Sequence, residues 1–437
     1  MSVQARRAQA VASVALAGLI VTGCSAPGGS QITSSGVEVS TEIGPDPVTI
    51  AVRVNADQED MWKALVAGFE ESYPSVNVDL QTEAFGTLQD NAPRYLSGSN
   101  VPDLFRLAVP GDTVRDGLLL DLDPYAAAWG WDEFPSSQLD QWRIAENGSV
   151  GTGPLYALGA GFGLVGIYYN AEKLEGLGID NVPATVDELE AALAVAQAAG
   201  ETPLIGDAAY ILQLLIQAYG GADATRQWIN NVPEASIDVP AAADAAETLQ
   251  RWSSSGYVPA DLTSTDAGTS LGAFLAGDAV FFAQGSWFAG ATDAAGGGIG
   301  FTLPPAAEDD ATRYSMSAPN SMVIPAAAAH PNEAAAFLDW IQRDDGRQII
   351  TEVGGLAPGG AGAVPTGDWT DRAVFAQTLE AFEQLNADNG IVGFLANASA
   401  GFTERTLTPQ LDLLLAGRTT PSDFVATLQA DREATAG

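Results

Sequence analysis

The sequence is poor in the residues on which many catalytic and metal sites depend. One histidine, His330, and one cysteine, Cys24, occur in 437 residues. No Cys/His cluster can therefore hold zinc, and a Ser-His-Asp triad would depend wholly on a histidine that stands just before a predicted helix. The spacing of a phosphate-binding P-loop is also missing. We expect no metal, no cofactor and no catalysis, although a glycosidase carboxylate pair stays open because spatial separation is not visible in a sequence.

Basic residues and long apolar runs are scarce as well. The chain has 18 Lys and Arg against 55 Asp and Glu, which gives a net charge of −37. Such a surface repels nucleic acid and anionic membranes, and the acids are spread along the chain as in a surface that serves solubility. After the first 21 residues no apolar run approaches the 20 or so residues of a membrane span. We expect a soluble body without a nucleic-acid partner.

The N-terminus carries the features of an export signal. A pair of arginines precedes an uninterrupted apolar run at 10–21, and V-T-G-C ends at Cys24. The run is too short for a span, and a single cysteine cannot form an internal disulfide. V-T-G-C resembles a bacterial lipobox, which implies removal of residues 1–23 and a lipid on the Cys24 sulfur. Residues 24–46 are rich in Gly, Ser, Thr and Pro and indicate a flexible tether.

Strands and helices alternate after the tether. A β-branched strand at 48–54 is followed by a helix at 57–72, in which Met61, Leu65 and Phe69 share one face. A second strand at 76–80 completes a β-α-β unit. The other elements that we predict are strands at 102–105, 279–283 and 321–324, an Ala/Leu-rich helix that opens with a capping box at Thr185-Val-Asp-Glu188, and helices at 208–219, 238–252, 332–342 and 420–430. This alternation predicts an α/β fold.

Residues 161–166 form a glycine-rich stretch with the pattern G-x-G-x-x-G. A dinucleotide site requires this pattern to open a helix, whose N-terminus binds the pyrophosphate. Here Ile167-Tyr168-Tyr169 follows, which is a strand signal. We therefore interpret the glycines as permitting close approach of the backbone beside a cleft.

Several segments, taken in order, resemble the extracellular solute-binding proteins of ABC importers, most of which bind sugars. No single segment is specific, but their order and spacing over about residues 48 to 430 carry the resemblance. The segments are MWKALVAGFEESYPSVNVDLQT, VPDLFRL, GLLLDLDPY, GIYYNAEKLEGLGID with VPATVDEL, FLAGDAVFFAQGSW and NEAAAFLDWIQRDDGRQIITEVGGLAP.

The resemblance implies a periplasmic-binding-protein-like fold, in which two α/β lobes surround a ligand cleft and are joined by a hinge. Residues 47–157 and 280–330 are expected in the N-terminal lobe, and residues 158–279 and 331–437 in the C-terminal lobe. It further implies that a monomer, lipid-anchored to the outer face of the cell membrane, captures a sugar or oligosaccharide by hinge closure. The closed complex would then meet the ABC permease subunits.

A sugar site needs aromatic platforms together with amide or carboxylate groups, and ligands in open α/β sheets sit at the carboxyl ends of strands. Trp287 is the strongest stacking candidate, because it follows the strand at 279–283. Gly355 stands where relatives often place an aromatic residue, which would leave room for a larger ligand. The candidate ligand-binding residues are Asn55, Asp57, Phe85, Phe162, Gln284, Ser286, Trp287, Ser317, Asn320 and Gly355.

Several of these candidate residues also have a purely structural explanation. Asn55 and Asp57 also suit the start of a helix, and Phe85 also suits loop packing. Asp57 and Glu59 keep a polyamine ligand open, whereas the candidate loops have few of the basic residues that a glycerophosphodiester would need. A secreted polysaccharide-acting enzyme and a sensory partner of a membrane receptor are the alternatives from other classes.

Overall fold

The structure is a computed structural model of the chain. It describes residue 36 and residues 38–309, 311–362, 364–398 and 401–435. The predicted export signal, the lipidation site Cys24 and most of the predicted tether lie outside the described residues. Within them, no helix is both long enough and apolar enough to cross a bilayer.

The chain alternates strands and helices, as the sequence predicts. The strands are β1 (Val48–Asn55), β2 (Val76–Glu83), β3 (Leu104–Arg106), β4 (Arg143–Ile144), β5 (Val150–Leu155), β6 (Ala157–Asn170), β7 (Thr202–Gly206), β8 (Ala279–Gly285), β9 (Ile299–Thr302), β10 (Ser315–Val323) and β11 (Ile391–Val392).

The α-helices are α1 (Glu59–Ser72), α2 (Phe85–Asp90), α3 (Ala92–Ser97), α4 (Gly111–Arg115), α5 (Asp123–Trp129), α6 (Ser136–Leu139), α7 (Ala171–Gly176), α8 (Val186–Ala198), α9 (Ala208–Ile216), α10 (Ala222–Ile229), α11 (Pro240–Ser254), α12 (Ala267–Leu275), α13 (Ala289–Ala295), α14 (Pro331–Ile341), α15 (Asp344–Glu352), α16 (Ala373–Ala387), α17 (Thr408–Leu415) and α18 (Pro421–Thr435). Short 3₁₀ turns include Ala56–Gln58 and Ser286–Phe288, and π-helical turns occur at Gln217–Gly221 and Thr403–Leu407.

One large sheet organises the molecule, in the order β2-β1-β3-β10-β6-β8-β7, with β11 beside β10 and β9 beside β6. β1 and β2 pair in parallel from Val48 opposite Val76 to Asn55 opposite Glu83, and α1 connects them. This confirms the predicted β-α-β unit. The helices around the mixed sheet confirm the α/β class.

Two long strands are shared between the halves of this sheet. β6 pairs antiparallel with β10 over its first part and with β8 and β9 over its second part, while the far end of β10 pairs with β3. Their pairing is irregular in the middle, where the register shifts between Pro319 and Ser321 and Gly161 has a φ of +100°. The two halves are therefore joined through a break in the regular pairing.

Each half of the sheet carries its own helices. In the first lobe, the Phe69 ring of α1 stacks on Phe337 of α14 with ring centroids 4.6 Å apart. In the second lobe, Leu212 of α9 and Trp252 of α11 lie in one buried cluster with Phe424 of α18. These two buried clusters fix the lobes on either side of the shared strands.

Two elements lie on the other lobe from the one that the sequence boundaries imply. We placed 280–330 in the N-terminal lobe, but β8 pairs with β7 and with the second half of β6. We placed 331–437 in the C-terminal lobe, but α14 packs against α1. Long-range packing decides both positions, and the exact lobe boundaries stay a prediction.

Two helices begin where the sequence predicts them. Thr185 and Glu188 form the predicted capping box at the start of α8, with side chain to backbone bonds in both directions. The predicted helix at 208–219 is α9, which passes into the π turn Gln217–Gly221 and kinks at Gly220, where φ is +90°.

Candidate functional site

The carboxyl ends of the strands of both lobes converge on the middle of the shared strands. β1 and β3 end at Asn55 and Arg106 on one side, and β7 and β8 end at Gly206 and Gly285 on the other. Ligands in open α/β sheets bind at such strand ends. The space between these two sets of strand ends is the candidate ligand-binding cleft.

Trp287 is exposed at the second lobe's wall of the cleft. It follows β8, and 37% of the residue is exposed. A Cβ on Gly163 would lie 3.0 Å from Cε3 of the Trp287 ring, and one on Gly285 would overlap the ring at 2.1 Å from Cη2. The indole therefore lies against two stretches of bare backbone, which hold one part of it and leave the rest open to a ligand.

The same contacts explain part of the glycine-rich stretch. The G-x-G-x-x-G pattern lies inside β6 and does not open a helix, so the dinucleotide context is absent from it. Gly163 makes room for Trp287, and a Cβ on Gly166 would overlap Phe301 at 2.3 Å. Close packing against aromatic rings is the physical requirement for glycine at these two positions.

Two residues that the sequence analysis missed lie where β7 passes into α9, close to the end of β8. Asp207 follows β7 and caps α9, where its Oδ1 accepts hydrogen bonds from the backbone N–H of Ala209 at 2.8 Å and of Tyr210 at 3.2 Å. The Tyr210 ring meets the Trp287 ring edge-on, with centroids 6.4 Å apart. Burial raises the pKa of Asp207 and of Tyr210. An aspartate directly after a buried strand was the available signal, but it reads equally well as a helix cap.

The second lobe's wall continues beyond Tyr210. The ring of Phe394 packs against Tyr210, with centroids 5.4 Å apart and planes 62° apart. Trp287, Tyr210 and Phe394 form a continuous aromatic wall, in which Phe394 is buried and Trp287 is exposed. Such a wall suits a ligand that has both apolar faces and hydrogen-bond donors.

Three predicted residues lie beneath this wall and do not project from it. Gln284, Ser286 and Ser317 are all buried. Gln284 Oε1 accepts a bond from the N–H of Gly285 at 2.9 Å, and Ser286 Oγ accepts one from Leu164 N–H at 3.1 Å. The Ser286 bond joins the turn that carries Trp287 to β6, whereas the Gln284 bond lies within the end of β8.

Ser317 and Asn320 lie on β10. The Ser317 hydroxyl donates to the carbonyl of Gly163 at 3.1 Å. The Asn320 amide Nδ2 donates to Gln58 Oε1 at 2.6 Å and to the carbonyl of Ala160 at 3.4 Å. Asn320 therefore ties the irregular part of the shared strands to the first lobe's turn at Gln58, a residue that we did not predict.

The first lobe contributes the end of β1 and the turn after it. Asn55 is buried and precedes the turn Ala56–Gln58, which its side chain does not cap; Asp57 lies within that turn. A cavity of about 340 Å³ opens beside it. Its lining consists of Ala56, Gln58, Glu59, Asp60, Met61, Val353 and Gly354.

Gly355 directly follows Val353 and Gly354, which line this cavity, and it has a φ of +63°. A Cβ there would meet only Nη2 of Arg372, at 3.5 Å. The left-handed backbone favours glycine at this position independently of any ligand. The extra room for a larger ligand stays a prediction.

Phe85 is an exposed aromatic residue of the first lobe, close to the carboxyl end of β2. It begins α2 directly after β2, and 43% of it is exposed. The Arg106 guanidinium carbon lies 5.5 Å from the centroid of its ring. This contact holds one face of Phe85 in a cation–π arrangement.

Phe162 is the one aromatic candidate that the structure removes from the cleft. It is only 1% exposed, and its ring packs between Trp142 at 5.6 Å and Phe382 at 5.4 Å between centroids. Its backbone exchanges hydrogen bonds with Ala357 at 2.7 and 3.2 Å. The Phe162 side chain belongs to the core, which argues against its place among the candidate ligand-binding residues.

Among the described residues, no group of three or more His, Cys, Asp or Glu side chains is arranged to hold a metal ion. Arg405 lies away from the cleft, where its Nη2 pairs with Asp431 Oδ2 at 2.8 Å.

Two α/β lobes with strand ends facing a common cleft define a binding protein of the periplasmic type. Residues 55–348 match the model of the bacterial extracellular solute-binding protein family, and the chain belongs to that family.

Solved structures of the same fold cover nearly the whole described chain. A cyclo/maltodextrin-binding protein complexed with maltotetraose superposes with a TM-score of 0.71 at 18% identity, over 90% of this chain and 98% of that one. A maltose-bound MalE3 of T. maritima gives 0.70 at 17% over 89% and 100%. RafE in complex with raffinose gives 0.65 at 21% over 89% and 100%. At these identities the likeness establishes the fold.

Proposed function

We propose that the protein is an extracytoplasmic receptor that captures a carbohydrate by closure of its two lobes and delivers it to an ABC permease. The observation that carries the proposal is the Trp287 ring, which is seated against Gly163 and Gly285 with 37% of the residue exposed at the cleft. Ligand sites are lined mainly by apolar and aromatic side chains with a few placed polar groups, and an exposed indole at the strand ends fits such a lining.

The neighbouring groups fit a sugar. A pyranose presents apolar C–H faces and a rim of hydroxyl groups, and Trp287 and Tyr210 offer rings while Asp207 offers an acceptor. The first lobe offers a further aromatic ring in Phe85, a residue that is 43% exposed. The remaining predicted contacts at Asn55, Asp57 and Asn320 belong to the same proposal.

Lobe closure follows from this distribution of groups. Trp287 lies on one lobe and Phe85 on the other, so a ligand that touches both rings binds the closed arrangement better than the open one. Only such differential binding makes closure follow capture. The irregular pairing near Gly161 and Asn320 is where we place the hinge.

Export and anchoring rest on the sequence. The apolar run at 10–21 and V-T-G-C support cleavage before Cys24 and lipidation of its sulfur, with residues 24–46 as the tether. A lipid-anchored monomer at the outer face of the membrane would then meet the permease while closed. We propose a binding role without catalysis.

A thermal-shift screen tests the proposal. Mono-, di- and oligosaccharides are placed beside polyamines and glycerophosphodiesters, and each sugar is analysed for breakdown after incubation. A ligand that binds only the folded state stabilises it by about 2.7 kcal/mol at a hundredfold excess over its dissociation constant.

The outcomes separate the alternatives. A shift with one sugar class and intact sugar afterwards supports the receptor. A shift only with polyamines or phosphodiesters keeps a binding protein but overturns the carbohydrate. Breakdown of a sugar, abolished by replacing one carboxylate, supports an enzyme instead.

A further inference from the structure

The segment that carries Phe394 is fastened to α9 by one buried side chain. Gln213 is only 1% exposed. Its Nε2 donates to the carbonyl of Gly393 at 2.7 Å, and its Oε1 accepts from the N–H of Leu395 at 2.7 Å. An amide can make both bonds at once because it carries a donor and an acceptor. One side chain therefore fixes the backbone directly before and directly after the Phe394 ring.

The preceding part of this segment belongs to the strands that both lobes share. β11 pairs in parallel with β10, with Val392 opposite Met316. Phe394, two residues later, lies in a small buried cluster with Met316 and with Val165 of β6. The segment therefore runs from a shared strand to α9 of the second lobe, and the Gln213 side chain makes the hydrogen bonds that hold it to α9.

Phe394 in turn supports the ring that meets Trp287. Its ring packs against Tyr210 with centroids 5.4 Å apart, and Tyr210 meets the Trp287 ring edge-on at 6.4 Å. Tyr210 lies three residues before Gln213 on α9, which places both side chains on neighbouring turns of one helix. Because the attraction between aromatic rings depends on their orientation, a displaced Phe394 would change how Tyr210 lies against Trp287.

We propose that Gln213 is a positioning residue of the ligand site: by holding the backbone on both sides of Phe394, it keeps this ring against Tyr210 and so sets the shape of the aromatic wall. Gln213 is buried and acts through Phe394 without touching the ligand. The inference rests on the proposed carbohydrate-binding function and names a residue behind the wall on which the affinity depends.

The variant Gln213→Met removes both hydrogen bonds and keeps an unbranched side chain of similar length. Gln217→Met is the matched control. Gln217 lies four residues later, directly after α9, and is 2% exposed, but neither its Nε2 nor its Oε1 has a hydrogen-bond partner among the described residues. The control therefore changes the same buried side chain without freeing a backbone group.

The position of the ring is measured without any ligand. In protein labelled with 3-fluorotyrosine, the ¹⁹F signal of Tyr210 is assigned by its loss in Tyr210→Phe. We expect this signal to shift in Gln213→Met and in Phe394→Leu and to stay in place in Gln217→Met. In the wild-type protein the Leu395 amide should exchange its hydrogen slowly, because Gln213 accepts it.

The effect on binding is measured by calorimetry with maltotriose, xylotriose, galactotriose and raffinose, using the probe that binds the wild-type protein tightest. Gln213→Met should weaken binding at least fivefold, and Gln217→Met should leave it unchanged. A double-mutant cycle then identifies the route of the effect. If Gln213 acts through Phe394, adding Gln213→Met to Phe394→Leu should weaken binding less than twofold further.

The opposite results overturn the inference. Rapid exchange of the Leu395 amide in the wild-type protein does so whether or not a variant folds, and so does an unmoved Tyr210 signal in Gln213→Met. Unchanged affinity in Gln213→Met, or a full additional loss in the double variant, excludes positioning through Phe394. A wild-type protein that binds no carbohydrate refutes the proposed function and with it the role in affinity, whereas the Tyr210 signal reports separately whether Gln213 holds the ring.

Discussion

The Trp287→Ala variant tests the candidate site most directly. The substitution removes the exposed ring and leaves the preceding strand β8 in place, since pairing with β6 and the bond between Ser286 and Leu164 hold it. We expect weaker ligand binding without loss of the fold.

The magnitude follows from the exposed surface. A tryptophan offers about 200–250 Å², so the exposed 37% corresponds to about 80 Å² that a ligand can cover. At about 25 cal/mol per Å², full coverage contributes about 2 kcal/mol, and coverage of one ring face contributes about half of that. The variant should therefore bind about five- to thirtyfold more weakly.

Calorimetry with the sugar identified by the screen measures this loss, and the melting temperature of the free protein reports on the fold. Trp287→Phe is the matched variant, because it keeps a smaller ring and should recover part of the affinity. An unchanged dissociation constant for Trp287→Ala would exclude the ring from the site. A large drop in melting temperature would show that the ring mainly supports the lobe.

Further substitutions test the surroundings of the cleft. Gly163→Val should lower the affinity severalfold by pushing the Trp287 ring off β6, and calorimetry would contradict the packing argument if the affinity were retained. Phe162→Ala should cost about 3–5 kcal/mol of unfolding free energy, because it empties a buried site; a urea titration with a loss below 1 kcal/mol would contradict its place in the core. Asp431→Asn should lower the free energy of unfolding only slightly at pH 7, since the Arg405 hydrogen bond lowers the pKa of Asp431 but an ion pair with so exposed an arginine contributes little. That contribution is present above the unfolded pKa of about 3.9 and is lost as the pH falls through the lower folded value, so the variant and wild type should converge in stability at acid pH.

The sequence predicts well what local chemistry determines. The first β-α-β unit needs only β-branched runs and an apolar helical face, and the capping box at Thr185 needs only four residues. The lobe position of α14 could not be predicted in this way, because it depends on the contact between Phe69 and Phe337, which are far apart in the chain.

The misplacement of Phe162 has a different cause. Alternation identifies the cleft side of a strand only when one face meets solvent, and β6 is buried on both faces from Ala157 to Tyr168. No periodicity remains to tell a ligand-facing ring from a core ring. Asp207 was missed for another reason. An acid between a strand and a helix is a typical helix cap, and the same pattern is found at ligand-binding positions.

Gly163 connects recognition to the joint between the lobes. Its carbonyl accepts the Ser317 hydroxyl of β10, and its missing side chain gives the Trp287 ring its seat. The Trp287 ring of the second lobe thus rests against β6, one of the two strands that both lobes share. A ligand ring stacked on Trp287 would lie close to these shared strands. A small change in lobe angle would then move Phe85, on the other lobe, farther than it moves the stacked ring. Since a ligand shifts an equilibrium only by its difference in affinity for the two states, Phe85 should discriminate between open and closed forms more strongly than Trp287. Phe85→Ala should then reduce closure on ligand binding, measured by X-ray scattering, more than an equal loss of affinity at Trp287 does.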